Sequence, residues 1–582
     1  MTNRLLKLAK CQQLLIRFRC FFYGLLLPLA FAPFHIPGFA ILSLGLFYFE
    51  LGAVDKSTKQ SLNKNASTSH FFPGFKKGLA YGLGFFGLGT SWIYVSIHDY
   101  GHLLPILSAL ITLLFILYLS LFPAVMAGCY HYLRLRPYSV LSVLLFSALW
   151  TLSEYLRATF LTGFPWLLVG AGQIDAPTRT LLPFIGVYGV TLVTCIASGT
   201  LILIFKQSRQ QHPYSSLLNF RSSCSLSRGL IDNPEHEVRS TAPRLAEKSS
   251  TVSILPVLFF LLILLSPALL HQKNDNVATA EPLSIGVVQS NISMRDKWDE
   301  QLFWQLLKQN QQRIQQLLGT KLIVLPEAAI PLPASYIQDT LEQLSNEARL
   351  AGSALLLGIP ETTEFNDTVF YNALIALGQA KGTYLKQHLV PFGEYNPTPL
   401  RFITQLLNLP DPNMHPGDNN QQLVKVHHIP VATLICYELA YGNLLRAQLP
   451  TAQFIISISD DGWFGHSLAM YQHLQIAQVQ SLQTERYQVV ANNDGLSSII
   501  DSEGNLTASL APFTSGVLKA SLIPKTTITP WVKMGDFPAL FCAGIITLFC
   551  LARRLRKITS DDLLLLSKSR RAILTGQFEN NK

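Results

Sequence analysis

Seven apolar stretches crowd the first half of the chain and an eighth returns near its end. They cover about residues 20–33, 37–53, 78–97, 103–128, 138–157, 180–205, 253–271 and 537–552. Several reach the ~20 residues that cross ~30 Å of hydrocarbon as a helix. The first two and the last are short or contain Gly. Internal Pro28 and Gly82 are compatible with spanning helices, because neighbouring helices satisfy the freed backbone groups. Composition agrees: 49% of residues are hydrophobic and 14% charged, against about 25% charged in an ordinary soluble domain. That deficit excludes a disordered chain, a highly charged nucleic-acid binder and a conventional multidomain cytosolic enzyme. Buried helices of a soluble core are the other reading, but eight such stretches with so little charge between their ends fit lipid better.

Basic residues set an orientation. They crowd the N-terminus (Arg4, Lys7, Lys10, Arg17, Arg19) and return after the second stretch (Lys56, Lys59, Lys64, Lys76, Lys77). They recur after the fourth (Arg134, Arg136), the sixth (Lys206, Arg209) and the last (Arg553, Arg554, Arg556, Lys557), while the alternate connections are nearly free of Lys and Arg. Both termini then face the cytoplasm and the large segment between stretches seven and eight lies outside, at the periplasmic face of a bacterial inner membrane. The division reads as a membrane domain over 1–274 with seven spans, an exported domain over 275–530, and a last helix with a cytoplasmic tail over 531–582. A Ser-, Arg- and Pro-rich stretch at about 206–252 reads as a mobile cytoplasmic connection without chemistry.

Within the exported part, short apolar runs alternate with helical patterns: SIGVVQS (284–290), KLIVLPE (321–327), ALLLGIPE (354–361), YNALIAL (371–377), VATLICYE (431–438), FIISISDD (454–461) and YQVVAN (487–492). Strands with helices between them predict an α/β domain whose apolar sheet faces are covered by helices. No Gly-rich phosphate loop, HExxH or paired CxxC occurs, so neither a cofactor nor a metal is expected.

Of eight cysteines, only Cys436 falls in the exported domain. It therefore has no disulfide partner there, and in an oxidising compartment an unpaired thiol is either buried or used. It sits at the end of a strand-like run, where α/β domains place their sites. Glu327 ends KLIVLPE, and Lys386 lies in TYLKQHLVPFGEY, eight residues before Glu394. A Cys nucleophile needs a base to take its proton and a cation to stabilise the oxyanion that follows its attack. Glu327 and Lys386 could supply these; each alone could equally be a solvated loop residue, and Cys436 a small buried hydrophobe.

At these motifs the chain resembles the apolipoprotein N-acyltransferases, bacterial inner-membrane members of the nitrilase (carbon–nitrogen hydrolase) superfamily. LPEAAIP resembles the family's glutamate motif, YLKQHLVPFGEYNP its lysine motif and LICYE its cysteine motif. VVQSNISMRDKWD, DGWFG, QHLQIAQ and LTGFPW are further matches. The resemblance implies an α-β-β-α nitrilase-like sandwich attached to a bundle of about eight transmembrane helices. It implies that Cys436 takes the sn-1 acyl chain of a phospholipid, commonly phosphatidylethanolamine, as a thioester. The chain then passes to the α-amine of the N-terminal S-diacylglyceryl-cysteine of an apolipoprotein. Glu327 maps to the general base, Lys386 to the oxyanion stabiliser, Glu394, Tyr437 and Glu438 to supporting positions, and Trp298 to the substrate entrance. Tyr437 and Trp298 could instead be core aromatics, and Glu394 and Glu438 solvated charges.

The chain also departs from the family pattern. Asp460, Asp461 and Gly462 stand before Trp463 where Asn-Asp-Ala is frequent. Gln483 stands three residues before Arg486 where Glu is frequent, and Asn493 and Asp494 precede Gly495 where two Asn are frequent. Two other classes remain open: a membrane-anchored amidase or nitrilase, and a transporter or scaffold. The last calls for polar residues within the spans, for which Glu154 and Arg157 at a span end are the nearest candidates.

Overall fold

A computed structural model describes residues 18–53, 71–101, 103–133, 135–211, 281–363, 366–397, 401, 412 and 414–574. The apolar stretches form helices α1 (Arg19–Leu26), α2 (Gly38–Gly52), α3 (Phe71–Gly89), α4 (Pro105–Leu133), α5 (Val140–Thr159) and α6 (Leu182–Gln211), joined by the late helix Phe537–Leu574. Among the described residues four helical segments are long and apolar enough to cross a membrane: Pro105–Leu133, Val140–Thr162, Pro177–Ser208 and Phe537–Lys557. Arg19–Ala30 and Gly38–Gly52 are shorter apolar helices. The seventh stretch, 253–271, lies outside the described residues, and so does most of the 206–252 connection.

One boundary differs from the sequence reading. Helix α3 begins at Phe71 rather than about residue 78, so Lys76 and Lys77 belong to a helix and not to a connection. Lys77 donates to the Glu50 carbonyl at 2.9 Å and pairs with its carboxylate at 3.8 Å, so its long stem reaches a partner near the helix end.

Small residues let these helices meet backbone to backbone. Gly74, Gly78 and Gly82 recur every four residues on one face of α3, against Ala127, Pro123 and Ser120 of α4. A Cβ at Gly78 would lie 2.2 Å from the Pro123 carbonyl oxygen. In lipid, where apolar surface gains nothing by leaving its surroundings, such close van der Waals packing drives helix association.

The second unit is a two-sheet sandwich. Its strands are β1 (Leu283–Gln289), β2 (Leu322–Val324), β3 (Ala354–Thr363), β4 (Asn366–Gly378), β5 (Ala380–Lys381), β6 (Thr383–Leu385), β7 (Val424–Val426), β8 (Ile429–Ile435), β9 (Ile455–Ser459), β10 (Gln488–Asn492), β11 (Ser498–Ile500), β12 (Leu506–Ser509) and β13 (Gly516–Leu522). One sheet runs β13-β1-β2-β3-β4-β6 and the other β12-β11-β10-β9-β8-β7-β5. Strands β1, β2 and β3 are parallel in the first, and β8, β9 and β10 in the second.

Alternation along each strand builds the layers, since successive side chains point to opposite faces. Leu322, Val324, Leu356, Ile456, Ile458 and Val489 face the core between the sheets. Ile323, Leu325, Leu355 and Leu357 pack outward against α7 (Phe303–Gln315) and α8 (Gln338–Leu350). Ala432, Leu434, Ile455 and Val490 pack outward against α9 (Gly442–Gln448) and α10 (Ala469–Thr484). The result is the expected α-β-β-α order.

Helix α10 has a second neighbour. Leu474 and Ala477 join the sandwich core, while Ala469, Val479 and Leu482 join the core of the helical bundle. Its glutamines bind across that boundary: Gln472 accepts from the Trp166 indole at 2.8 Å, Gln475 from the Ala32 amide at 3.2 Å and Gln483 from the Val187 amide at 2.9 Å.

Replacing Gly78 by Leu should separate α3 from α4 and cost roughly 1–3 kcal/mol, the usual scale for overpacking. The measurement is the thermal midpoint in detergent. Gly87→Ala is the control, because a Cβ there meets open space and its midpoint should not fall.

Candidate active site

The C-terminal ends of β2, β8, β9 and β10 converge, as parallel strands of an α/β sheet bring their following loops to one edge. They deliver Glu327, Cys436, Asp460 and Asp461, and Asn493 and Asp494. The partners of these loops are Lys386, which follows β6, and Asn372 on β4.

Lys386 is the centre of this group. Its side chain is 1% exposed, and its Nζ lies 2.7 Å from Glu394 Oε1 and 3.4 Å from Glu327 Oε1. Asn372 Nδ2 donates to both carboxylates, at 2.6 Å to Glu327 and 3.2 Å to Glu394. Glu394 Oε2 accepts from the Val390 amide at 2.8 Å, and Glu327 Oε2 from the Asp460 amide at 3.0 Å. Burial opposes the Lys386 charge, but Glu394 and Glu327 together outweigh it and hold the ammonium above its ordinary range. Burial raises the Glu327 carboxyl, Lys386 pulls it back, and Glu394 raises it again, so it stands above an ordinary Glu.

Cys436 follows β8 directly, in a left-handed conformation with φ 54°. A non-Gly residue there is held by its surroundings. Glu438 provides that hold. Its buried carboxylate accepts from the amides of Ile435 (2.8 Å), Gln387 (2.6 Å) and His388 (3.0 Å) and from the Tyr384 hydroxyl (3.1 Å). It therefore ties the cysteine turn to the segment carrying Lys386. Burial pushes the Glu438 carboxyl up to about 7 against these donors. Burial raises the Cys436 thiol well above its ordinary value and Glu327 adds to this, while Lys386 lowers it.

The charges decide the chemistry available. Two carboxylates and one ammonium already leave the site negative, so a thiolate formed by loss of a proton to solvent would add a second excess charge. Passing the proton to Glu327 moves the charge without adding to it. The arrangement suits proton transfer in step with attack.

Glu327, Lys386, Cys436, Glu394 and Glu438 thus come together, and Glu394 and Glu438 are not solvated charges. Tyr437 packs, partly buried, against the core of the helical bundle, and its hydroxyl donates to the Gly163 carbonyl at 3.1 Å, joined there by Tyr441 at 3.2 Å. Trp298 is 52% exposed and so is not a core aromatic. It ends the short helix Met294–Lys297, whose Lys297 is buried and makes the contact inward. Lys297 Nζ pairs with the Asp460 carboxylate and donates to the Glu327 carbonyl at 3.2 Å.

The loop Gly163–Val169, which begins within the LTGFPW stretch, is held by Arg157 and Glu154. Arg157 donates to the carbonyls of Phe164 (2.7 Å) and Trp166 (2.6 Å), and Glu154 accepts from the Val169 amide (2.9 Å) and the Thr191 hydroxyl (2.8 Å). These buried polar groups clasp a loop.

The sequence reading passed over Asn372, Lys297 and His473. Lys297 and His473 lie inside motifs that it quoted, but Asn372 sits in an apolar strand run with only its polarity to mark it.

Two departures from the family pattern touch. A Cβ at Gly462 would lie 2.7 Å from Asp494 Oδ2 and 3.0 Å from Asp460 Oδ1, so the smaller residue makes room for the carboxyl. Burial, then Asp460 and Asp461, push the Asp494 carboxyl up to about 8. A carboxyl raised on folding contributes stability that is whole only below the unfolded value of about 4 and is lost progressively as pH rises from there through about 8. Asp494→Asn should exceed the parent protein by roughly 1–3 kcal/mol more at pH 9 than at pH 5, read as thermal midpoints at the two pH values.

Comparison with known proteins bears on both units. The family model described as "Apolipoprotein N-acyltransferase N-terminal domain" matches residues 23–200, and the carbon–nitrogen hydrolase model matches residues 284–530. An apolipoprotein N-acyltransferase of Coxiella burnetii is 32% identical over 531 residues, covering 91% of this chain and 97% of its own. One of Azotobacter vinelandii is 33% identical over 538 residues, covering 91% and 94%. Among solved structures, a Nesterenkonia amidase of the nitrilase superfamily is 15% identical, covering 44% of this chain and 95% of its own, with a TM-score of 0.33. With both units matched and the likeness running through nine-tenths of its length, the chain belongs to the apolipoprotein N-acyltransferase family.

Proposed function

We propose that this protein moves the sn-1 acyl chain of a phospholipid, such as phosphatidylethanolamine, onto the α-amine of the N-terminal S-diacylglyceryl-cysteine of an apolipoprotein. The observation that carries this reading is the buried Lys386 held between Glu327 and Glu394 beside the Cys436 turn. The reaction is ping-pong. Glu327 takes the thiol proton as Cys436 Sγ attacks the ester carbonyl carbon, and Lys386 stabilises the oxyanion. Collapse breaks the ester C–O bond, Glu327 returns the proton, and the lysophospholipid leaves a thioester on Cys436. The acceptor amine then attacks the thioester, Glu327 takes its proton, and the thiolate departs.

The attached bundle supports a lipid donor. Each CH₂ drawn from lipid into water costs about 0.8 kcal/mol, so an acyl chain is handled far more cheaply by a site standing on the bilayer. Apolar surroundings also keep water from the thioester, favouring transfer over hydrolysis. The basic connections favour eight spans with both termini cytoplasmic and the 275–530 segment at the periplasmic face. Within the site, Glu394, Glu438, Tyr437 and Trp298 act as supporting residues, Trp298 at the entrance.

Incubating the purified protein with phospholipid and analysing it by mass spectrometry should reveal one fatty acyl group on Cys436. Cys436→Ala should abolish both the adduct and transfer to a diacylated peptide while the protein stays folded and inserted. Release of fatty acid or ammonia without peptide modification would favour the hydrolase reading, and a stable adduct on another cysteine would overturn the assignment. Glu327→Gln and Lys386→Ala should each slow thioester formation by about 10²-fold or more, measured by quenching a single turnover.

A further inference from the structure

His473 has no part in the chemistry above, yet it lies against the nucleophile. On α10, with its side chain 3% exposed, it puts Nδ1 2.9 Å from Asp461 Oδ1 and Nε2 3.2 Å from the Cys436 carbonyl oxygen. A carbonyl oxygen only accepts hydrogen bonds, and so does an ionised carboxylate. Protons on both ring nitrogens, the imidazolium form, would satisfy these two acceptors. The Trp166 indole stacks on it at 5.5 Å and 27° while Phe464 meets it edge-on at 6.2 Å, and a cation over an aromatic face is favourable in a dry site. Asp461 is itself fixed, its amide donating to Asn492 Oδ1 at 3.1 Å. The Trp166 indole also donates to Gln472, the residue before His473, and the Trp166 carbonyl is held by Arg157 of the membrane bundle.

We propose that His473 is a positioning residue for acyl transfer: charged by Asp461, it donates to the Cys436 carbonyl, fixes the left-handed turn that aims the thiol, and ties that turn through Trp166 to the membrane helices. This rests on the reading of Cys436 as the acyl carrier. The titratable groups facing the ring are Asp461, Cys436 and Glu327. Burial opposes its charge, but Asp461 and the Cys436 carbonyl outweigh it and raise the imidazolium above an ordinary His. Since the pKa is raised, the charged and donating form persists to higher pH than in an ordinary His and is lost as pH climbs past the folded value.

The test uses the full-length protein in detergent–phospholipid micelles, with single-turnover acylation of Cys436 followed by mass spectrometry from pH 6 to 10. His473→Ala should lower the acylation kcat at least tenfold with the phospholipid KM unchanged. His473→Gln, which keeps an N–H donor without a titrating charge, should recover part of that loss and abolish the alkaline fall of the parent protein. Asp461→Asn should move that fall to lower pH by one unit or more. A parent-like kcat in His473→Ala, or an alkaline limb unchanged in His473→Gln, would overturn the proposal. The charge state is read separately from ¹⁵N-histidine spectra at pH 7.5, with His473 assigned by its loss in His473→Gln. Two protonated ring nitrogens support the proposal and a neutral tautomer overturns it. Absence of any Cys436 adduct in the parent protein would sink the acyl-carrier reading instead, and the spectra would still decide the imidazolium.

Discussion

A buried ammonium shared by two carboxylates is the interaction around which the site is built. Lys386 could not stay charged in an apolar interior alone, and neither could Glu327 and Glu394. Each makes the others tolerable, and Asn372 completes the set by donating to both acids. The cluster spans elements far apart in sequence: β4, the segment after β6, the loop after β2 and the turn near Val390. Its geometry can exist only when both halves of the first sheet are formed. Glu438 extends it across the sandwich, since its carboxylate joins the amides beside Lys386 to that of Ile435 in the second sheet. Cys436 is thus placed relative to Glu327 and Lys386 by carboxylate–amide bonds as well as by packing.

Such a site has an electrostatic bias. With an excess negative charge already enclosed, burial and Glu327 both disfavour a free thiolate, and Lys386 only partly offsets them. The resting state is a thiol beside a carboxylate whose own affinity for protons is raised. A proton moving between two such groups changes the site's net charge not at all, which keeps the transfer inexpensive in a low dielectric. In the proposed reaction, the oxyanion formed on attack inherits the negative charge, close to the ammonium that is already in place to receive it.

Much of this was legible in the sequence, for a physical reason. Strand runs such as KLIVLPE and VATLICYE are uniformly apolar because both sheet faces are covered, and their first polar residues mark where each strand leaves the core. Glu327, Cys436 and Glu438 stand at those exits. The helix-facing and sheet-facing alternation is also written there, in Leu322 and Val324 against Ile323 and Leu325. The start of α3 was missed because Lys76 and Lys77 interrupt its apolar run, and hydropathy does not register a lysine stem lying along a helix toward Glu50. Asn372 was missed because its partners lie 45 and 22 residues away, and no local pattern encodes such a pair. Arg157 and Glu154 looked like candidates for a pathway within the membrane. Their actual partners are backbone groups of a loop, which a sequence does not distinguish from an ion route.

Helix α10 shows how the two units share one frame. A surface helix has a polar face, but this one has sandwich core on one side and membrane-helix core on the other, and it is buried nearly throughout. Purely apolar side chains would leave its rotation and register loosely defined, while ionised ones without a paired charge would cost more than such a boundary returns. Glutamine meets both demands, since it is uncharged, long enough to reach across, and directional. Gln472, Gln475 and Gln483 take their partners from three separate parts of the bundle, so a shift along any one direction breaks at least one bond. The same helix carries His473, whose ring reaches the carbonyl of Cys436. The distance from the Cys436 sulfur to the membrane helices is therefore set by a short run of hydrogen bonds through one rigid element. The proposed chemistry at a lipid ester would need such a short path, because the carbonyl to be attacked sits at a depth fixed by the bilayer and not by the protein.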